Sequence, residues 1–340
     1  MATSNLPVKG LHMKFPVKSD LNVYEKFISE VLPRETVNTL ILQIDYNFPF
    51  KSHPELNENE ISRRDSKRLF KACSAVGIKC MPLFSCLSQQ SRDEHTFPLL
   101  RLHPGFDETP LKNNKDLYRR SWCPKSDVHS IVFDLIDEII DETGAADFHV
   151  GMDEVFEIGD NNCPRCSGIL KSKLFAGEVQ SIHDRLLMKN CTMWMWGDRL
   201  INADAYPGIG TWEASGNNTY SAIDDIPKDI IICDWHYENA HDTPAYFINK
   251  GFKVVVCPWK NSVLALEQLK QIQTLAADQN PAVAAKALGI MQTTWRCNAG
   301  HSTDIDEFLK CYFIGSSASP NAVNACACFK TLFAEIRRQT

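Results

Sequence analysis

The chain has 340 residues, 44% hydrophobic and 23% charged, with a formal net charge of −6. This is ordinary globular usage, which excludes extensive disorder, and a chain this long can bury a large core without disulfide staples. The basic clusters at 62–68 and 335–340 are diluted by acids and leave no footprint for a nucleic acid; no apolar run approaches the ~20 residues of a membrane span.

In chain order, eight short apolar, β-rich runs read as strands: 8–15 (VKGLHMKF), 39–46, 77–84, 146–153, 191–198, 229–236, 252–259 and 289–296. Helical patterns lie between them. The first, 19–32, offers Ser19 or Asp20 as its cap. The stretch 62–77 ends on Gly77. The stretch 126–144 opens with Ser126 or Asp127, carries an apolar stripe from Val128 to Ile140 and stops at Gly144. Patterns at 177–190 and 243–251 continue the rhythm. Strands apolar on both faces and separated by helices imply a parallel sheet covered on both sides. Eight such units predict an α/β fold, a single (β/α)8 barrel spanning 1–340. The alternative is an open doubly wound sheet, against which no G-x-G-x-x-G turn follows the first strand. The long connections 85–125 and 200–228 read as elaborated loops on the functional rim.

The 13 cysteines are odd in number, and many sit inside apolar runs, which fits buried free thiols in a reducing compartment. The first ten residues lack the charged start and apolar stretch of a secretory signal, so a cytoplasmic location is favoured. A chain whose leader had been removed would read the same, which keeps a secreted or periplasmic origin open. Cys163 and Cys166 have C-x-x-C spacing, but a zinc site needs two more ligands and no second C-x-x-C or H-x3-H appears. Packed thiols or a disulfide are the expectation, with no metal. The segment 103–110 (HPGFDETP) reads as a polar loop, at the entrance or on the surface. The histidines form no H-E-x-x-H pair, and no G-x-S-x-G elbow or Walker loop occurs.

The run "ADFHVGMDEVFEIG" (146–159) sets Asp153 and Glu154 side by side at a strand end. His149, Gly151 and Asp153 share one parity, so an inward Asp153 puts His149 below it, with Gly151 leaving space between. Glu154 has the opposite parity and reaches the same pocket only if the chain turns there, at the C-terminal rim where barrel enzymes keep their sites. Two acids this close have coupled ionisations, and burial favours a neutral form of one of them. A carboxylic acid kept neutral is what protonation of a leaving group requires. Aromatic residues gather at other strand ends: Trp194, Trp196, Trp235, Tyr237, Trp259 and Trp295. Such rings pack on the C–H faces of sugars. Trp194 and Trp196 share parity, so one of them fills a deeper layer. Asp198 reads as a contact to a sugar hydroxyl, or else as the partner of Arg199 or a helix cap.

"HVGMDEV" resembles the H-x-G-x-D-E signature of glycoside hydrolase family 20, the β-N-acetylhexosaminidases. Looser likenesses run through "NTLILQIDY", "MWMWGDRL", "IICDWHYE" and "GIMQTTW". The resemblance implies retaining, substrate-assisted hydrolysis of terminal β-linked N-acetylhexosamine (GlcNAc or GalNAc), an exception to the rule of a carboxylate nucleophile. It implies Asp153 as the group that orients the 2-acetamido N–H and Glu154 as acid and then base. His149, Trp196, Asp198, Trp235, Tyr237, Trp259 and Trp295 would bind substrate, with Tyr237 on the acetamido carbonyl. No cofactor is implied, and the partner is a carbohydrate rather than a nucleic acid or membrane; homodimerisation stays open. Three positions depart from the family pattern. Lys14 or Lys18 stands where a first-strand arginine is usual, Ser88 and Gln89 replace a Gly-His after the third strand, and Arg296 follows the last tryptophan in place of an acid. An arginine fork is not reproduced by lysine, so these losses imply altered hydroxyl recognition and altered proton control at Glu154. They keep as the alternative an amino-sugar-binding barrel of the same fold that does not cleave.

Overall fold

The structure is a computed structural model that describes residues 6–58, 61–295 and 306–339. Eight strands form its centre: β1 (Val8–Lys14), β2 (Thr39–Gln43), β3 (Lys79–Cys86), β4 (Asp147–Gly151), β5 (Thr192–Trp196), β6 (Ile231–Asp234), β7 (Lys253–Val256) and β8 (Ala287–Gln292). Each pairs in parallel with its sequence neighbours, and β8 pairs with β1 to close the barrel. All eight predicted runs therefore become strands, in the predicted architecture.

Why the runs behave this way is visible in how they are buried. One apolar cluster fills the barrel lumen, built from Ile41, Met81, Leu83, Trp194, Ile231, Val255 and Met291 among others. A second and larger one lies between the strands' outer faces and the helices. Strands buried on both faces gain nothing from polar alternation, which is why they read as near-continuous apolar runs. The connecting helices include 63–75, 129–143, 171–188 and 262–276, and helix 320–339 packs on the last of these. Between β5 and β6 there is no α-helix, only 3-10 turns, so the 200–228 connection is a loop as expected. Among the described residues no helix is long and apolar enough to cross a membrane.

The predicted helix ends hold in part. Ser62 Oγ accepts the Asp65 N–H at 3.1 Å, and Gly77 and Gly144 take the left-handed conformation at φ 71° and 68° that a helix stop needs. Neither Ser19 nor Asp20 makes a side-chain cap, and the 129–143 helix is preceded by Val128 rather than capped by Ser126 or Asp127. Ser126 instead donates to Cys123 O at 2.7 Å.

Closure of the barrel depends on one small residue. At the β1–β8 seam Val8 pairs with Gly289, and a Cβ built on Gly289 would lie 2.0 Å from Val8 O. No flexible side chain is available to yield, because the clash is with backbone. Gly289→Ala should therefore lower the unfolding free energy by about 3 kcal/mol or more, measured as a fall in urea midpoint. An unchanged midpoint would show that the seam has slack.

Candidate active site

The C-terminal mouth of the barrel opens into a cavity of about 520 Å3, a volume suited to a small ligand. Strand ends supply most of its wall: Lys14 from β1, Gln43 from β2, Ser85 from β3, Asp153 and Glu154 after β4, and Trp196 at the end of β5. Trp235 and Tyr237 follow β6, Trp259 follows β7 and Trp295 follows β8. Both acids of the 146–159 run thus reach one cavity.

Neighbouring residues of a regular strand point to opposite faces, so the chain has to leave the strand for this to happen. It does so abruptly. β4 ends at Gly151, and Gly151, Met152 and Glu154 all have positive φ (69°, 71° and 52°). For a non-glycine residue that conformation costs of order ~1–3 kcal/mol and persists only where its surroundings over-determine it. Here they do. Asp198 Oδ2 accepts the Glu154 N–H at 2.9 Å, and Ser88 Oγ donates to Glu154 O at 3.2 Å. The residue after Gly151 on the predicted strand therefore breaks the parity, and the expected inward alternation stops two residues short of Asp153.

The two carboxylates are joined by Gln89, itself at φ 64°. Its Nε2 donates to Asp153 Oδ2 at 3.0 Å and to Glu154 Oε2 at 2.8 Å. Its Oε1 accepts from Arg119 Nε at 3.0 Å. Both protons of one amide group are thus committed to the acid pair. Burial, then the charges of Glu154 and Asp198, push the Asp153 carboxyl well above the usual range. Burial raises Glu154 as well, opposed by the Gln89 hydrogen bond and by the Arg119 and Arg199 charges. Two such groups sharing one donor hold a proton between them more readily than either would alone.

Of the other predicted site residues, Trp196, Trp235, Tyr237, Trp259 and Trp295 line the cavity. Tyr237 is central to that wall: its ring lies 5.0 Å from Trp235 and 5.3 Å from Trp259. Its hydroxyl oxygen accepts from Trp295 Nε1 at 2.6 Å. Trp194 fills the deeper layer, bonded to Asp147 at 2.8 Å.

Two expectations need correction. His149 does not line the cavity. It is fully buried beneath Trp196, ring to ring at 4.4 Å, with Nδ1 accepting the Gly151 N–H. Burial, then His12, lowers its pKa well below the ordinary value, so it is a neutral prop under the floor. Asp198 is likewise buried away from the cavity, its carboxylate already occupied by the Glu154 N–H, Arg199 Nε (2.7 Å) and Trp235 Nε1 (3.2 Å). Of the two candidate lysines, Lys14 lines the cavity and Lys18 does not. Loop 103–110 lines no part of it; Asp107, Glu108 and Thr109 are buried elsewhere. Arg296 lies outside the described residues.

Several lining residues escaped the sequence reading. Arg119, Tyr118, Arg92 and Phe97 come from the 85–125 loop, and Trp212 and Glu213 from the 200–228 loop. Their loops were recognisable by length, but which side chains turn inward was not. Arg199 Nη2 holds the second loop through the carbonyls of Thr211, Trp212 and Ala214. Glu213 is gripped by His236 Nδ1 at 2.9 Å and by the Tyr237 N–H at 2.9 Å. Burial opposes a charge on His236, but Asp234 and Glu213 overcome it and raise its pKa to about 9.

A family model described as Glycosyl hydrolase family 20, catalytic domain, matches residues 99–316. No curated protein matches the chain by sequence. Among solved structures, the chain is similar to the Flavobacterium johnsoniae chitobiase (TM-score 0.65, 15% identity, 98% of this chain and 52% of that one). It is also similar to an exo-β-N-acetylglucosaminidase from Vibrio harveyi solved with N-acetylglucosamine (0.63, 13%, 98% and 57%). A third is the β-N-acetylhexosaminidase from Bacteroides fragilis (0.62, 13%, 98% and 72%). At these identities the likeness is one of fold, and the chain spans only about half the length of the first two.

The geometry makes Asp198 the pin of the site. Removing it strands the fully buried Arg199 and frees the Glu154 N–H. Asp198→Ala should therefore cost about 3–5 kcal/mol of stability, the usual result of breaking a buried pair. Equilibrium unfolding measures this; a loss under ~1 kcal/mol, the size of a surface pair, would contradict the pinning role.

Proposed function

The chain belongs to glycosyl hydrolase family 20, and on that premise we propose that it hydrolyses terminal β-linked N-acetylhexosaminides with retention, using the substrate's own acetamido group. One observation carries the reading: two consecutive acids enter a single aromatic-walled cavity and share one amide donor. A carboxylate nucleophile and a distant acid would need no such proximity. An acetamido group does, because its N–H and the neighbouring glycosidic oxygen lie a few atoms apart on one sugar.

The steps follow from that placement. Asp153 accepts the acetamido N–H, which favours its ionised form and leaves the pair's proton on Glu154. The acetamido oxygen attacks C1 as the C1–O bond to the leaving group breaks, and Glu154 delivers its proton to the departing oxygen. A ring closed between C1 and the acetamido oxygen results, its positive charge faced by Asp153. Glu154, now a carboxylate, takes a proton from water; the water oxygen bonds to C1 and the ring reopens. The Tyr237 hydroxyl, whose oxygen accepts from Trp295 Nε1 and which lies 3.3 Å from Thr293 Oγ1, would turn its proton from Thr293 to the acetamido carbonyl. Burial raises its pKa well above the ordinary value and keeps it protonated. Trp196, Trp235, Trp259 and Trp295 supply apolar faces for the methyl and the sugar ring. Lys14, with Gln43 and Asp45 beside it on the wall, is placed to meet ring hydroxyls as a point charge.

Asp153→Asn and Glu154→Gln should each reduce kcat/KM on aryl N-acetyl-β-hexosaminides by about 10²–10⁴-fold, with the fold intact by circular dichroism. Full activity in either variant would end the assignment. An inert wild type that binds N-acetylglucosamine would favour the non-cleaving alternative.

Proton control gives a separate check. The acid form of Glu154 is the active one, so the rate falls as pH rises through its pKa. Gln89→Leu removes a donor that favours the carboxylate, so that pKa should rise further. The alkaline limb of the kcat/KM profile should then move to higher pH, with a lower plateau from lost positioning. A limb that stays put or moves to lower pH would contradict the role given to Gln89.

A further inference from the structure

Glu108, Cys123, Cys163 and Cys166 meet outside the cavity, every one of them fully buried. The Sγ atoms of Cys123 and Cys163 are 3.6 Å apart. Cys166 Sγ lies 2.9 and 3.2 Å from the two oxygens of Glu108. One donor atom from each residue falls within 4.8 Å of all the others. In a tetrahedral zinc site, bonds of ~2.3 Å to sulfur and ~2.0 Å to oxygen set the donors ~3.5–3.8 Å apart. The four therefore reach zinc geometry by moving less than a bond length. We infer that these four side chains hold a structural zinc ion.

Chemistry favours a soft divalent ion here. Three thiol sulfurs select zinc over magnesium or calcium, which want oxygen. A filled coordination sphere with no place for water is the structural type rather than the catalytic one. Without a cation, the Glu108 carboxylate is sealed from solvent with the Asp160 N–H at 2.7 Å as its neutral strong donor, the thiols of Cys166 and Cys123 as weak ones, and the Arg165 charge nearby. Three thiols and a carboxylate gathered in one dry space are a donor set that a divalent cation satisfies better than two weak S–H bonds do. Arg119 is committed to Gln89 and Arg120 to Asp107. Binding displaces the three thiol protons, forming three Zn–S bonds and one Zn–O bond with no change of oxidation state. The resulting cluster carries two negative charges, and the Arg165 guanidinium beside Cys123 offsets part of them.

Such an ion would tie together two loops that build the cavity wall. Glu108 and Cys123 bracket the segment that carries Arg119 to Gln89; Cys163 and Cys166 follow Glu154 on the loop after β4. The second and third ligands come from positions 40 residues apart, which is why the C-x-x-C pair looked incomplete in the sequence.

The test reads metal rather than activity, so it stands or falls apart from the hydrolytic reading. Full-length protein isolated under reducing conditions from zinc-supplied cells should carry about one zinc per chain by elemental analysis. Cobalt substitution should give thiolate-to-metal charge-transfer bands. Cys163→Ala should drop the content to about a tenth or less, while Cys73→Ala, buried elsewhere, should keep it. If Cys163→Ala does not fold, the wild-type metal content and cobalt spectrum decide alone. Zinc-free wild type, or recovery of Cys123, Cys163 or Cys166 in a disulfide from freshly isolated protein, would overturn the assignment.

Discussion

Two consecutive residues of a β-strand cannot point into the same barrel lumen, and most of what surrounds Asp153 and Glu154 exists to get round that rule. The strand stops at Gly151, where the backbone turns left-handed and a Cβ would press on Ser85 Cα at 3.1 Å. Met152 and Glu154 continue at positive φ. Asp45, Leu87 and Gln89, at the ends of β2 and β3, share the same unfavourable region. The strain is concentrated at one rim of the barrel and is held by neighbours, in keeping with strain serving a site rather than the fold. Ser88, Gln89 and Asp198 each contribute one or more of the bonds that hold it.

Electrostatics follow from the same geometry. Bringing Asp153, Glu154 and Asp198 together in a mostly dry space would be prohibitive if all three were simply buried anions. Asp198 is compensated by Arg199, with which it makes a fully buried pair. The other two are left with an amide bridge and a more distant arginine, which is enough to orient them but not enough to fix both as anions. A pair in this state accepts a ligand N–H on one side and donates a proton on the other.

The barrel was legible because its signal is repeated eight times and each repeat is apolar on both faces. The aromatic wall was legible because strand C-termini are where barrels place function. What could not be read is the distinction between lining and supporting residues. His149 belongs to the signature and Asp198 to the looser likeness after β5, and both support residues of the wall, yet neither lines the cavity. Parity predicts an inward side chain only while the strand persists, and here it ends early. The inward turn of Arg119 and Glu213 was invisible for a different reason. Each is set by contacts to residues 23 to 30 positions away, Gln89 and His236–Tyr237, with no local pattern to mark it. Gln89 was noticed as a departure from a family habit; that it clasps both acids emerges only in three dimensions.

The central claim is that Asp153 and Glu154 address two neighbouring atoms of one ligand. A crystal structure with the thiazoline mimic of the cyclised acetamido sugar tests it most directly. Asp153 should lie within hydrogen-bond distance of the ring nitrogen, with Glu154 on the leaving-group side of C1 and the Tyr237 hydroxyl near the acetamido-derived heteroatom. A ligand bound away from the acid pair, or one that contacts Asp153 while Glu154 points into bulk water, would contradict the account.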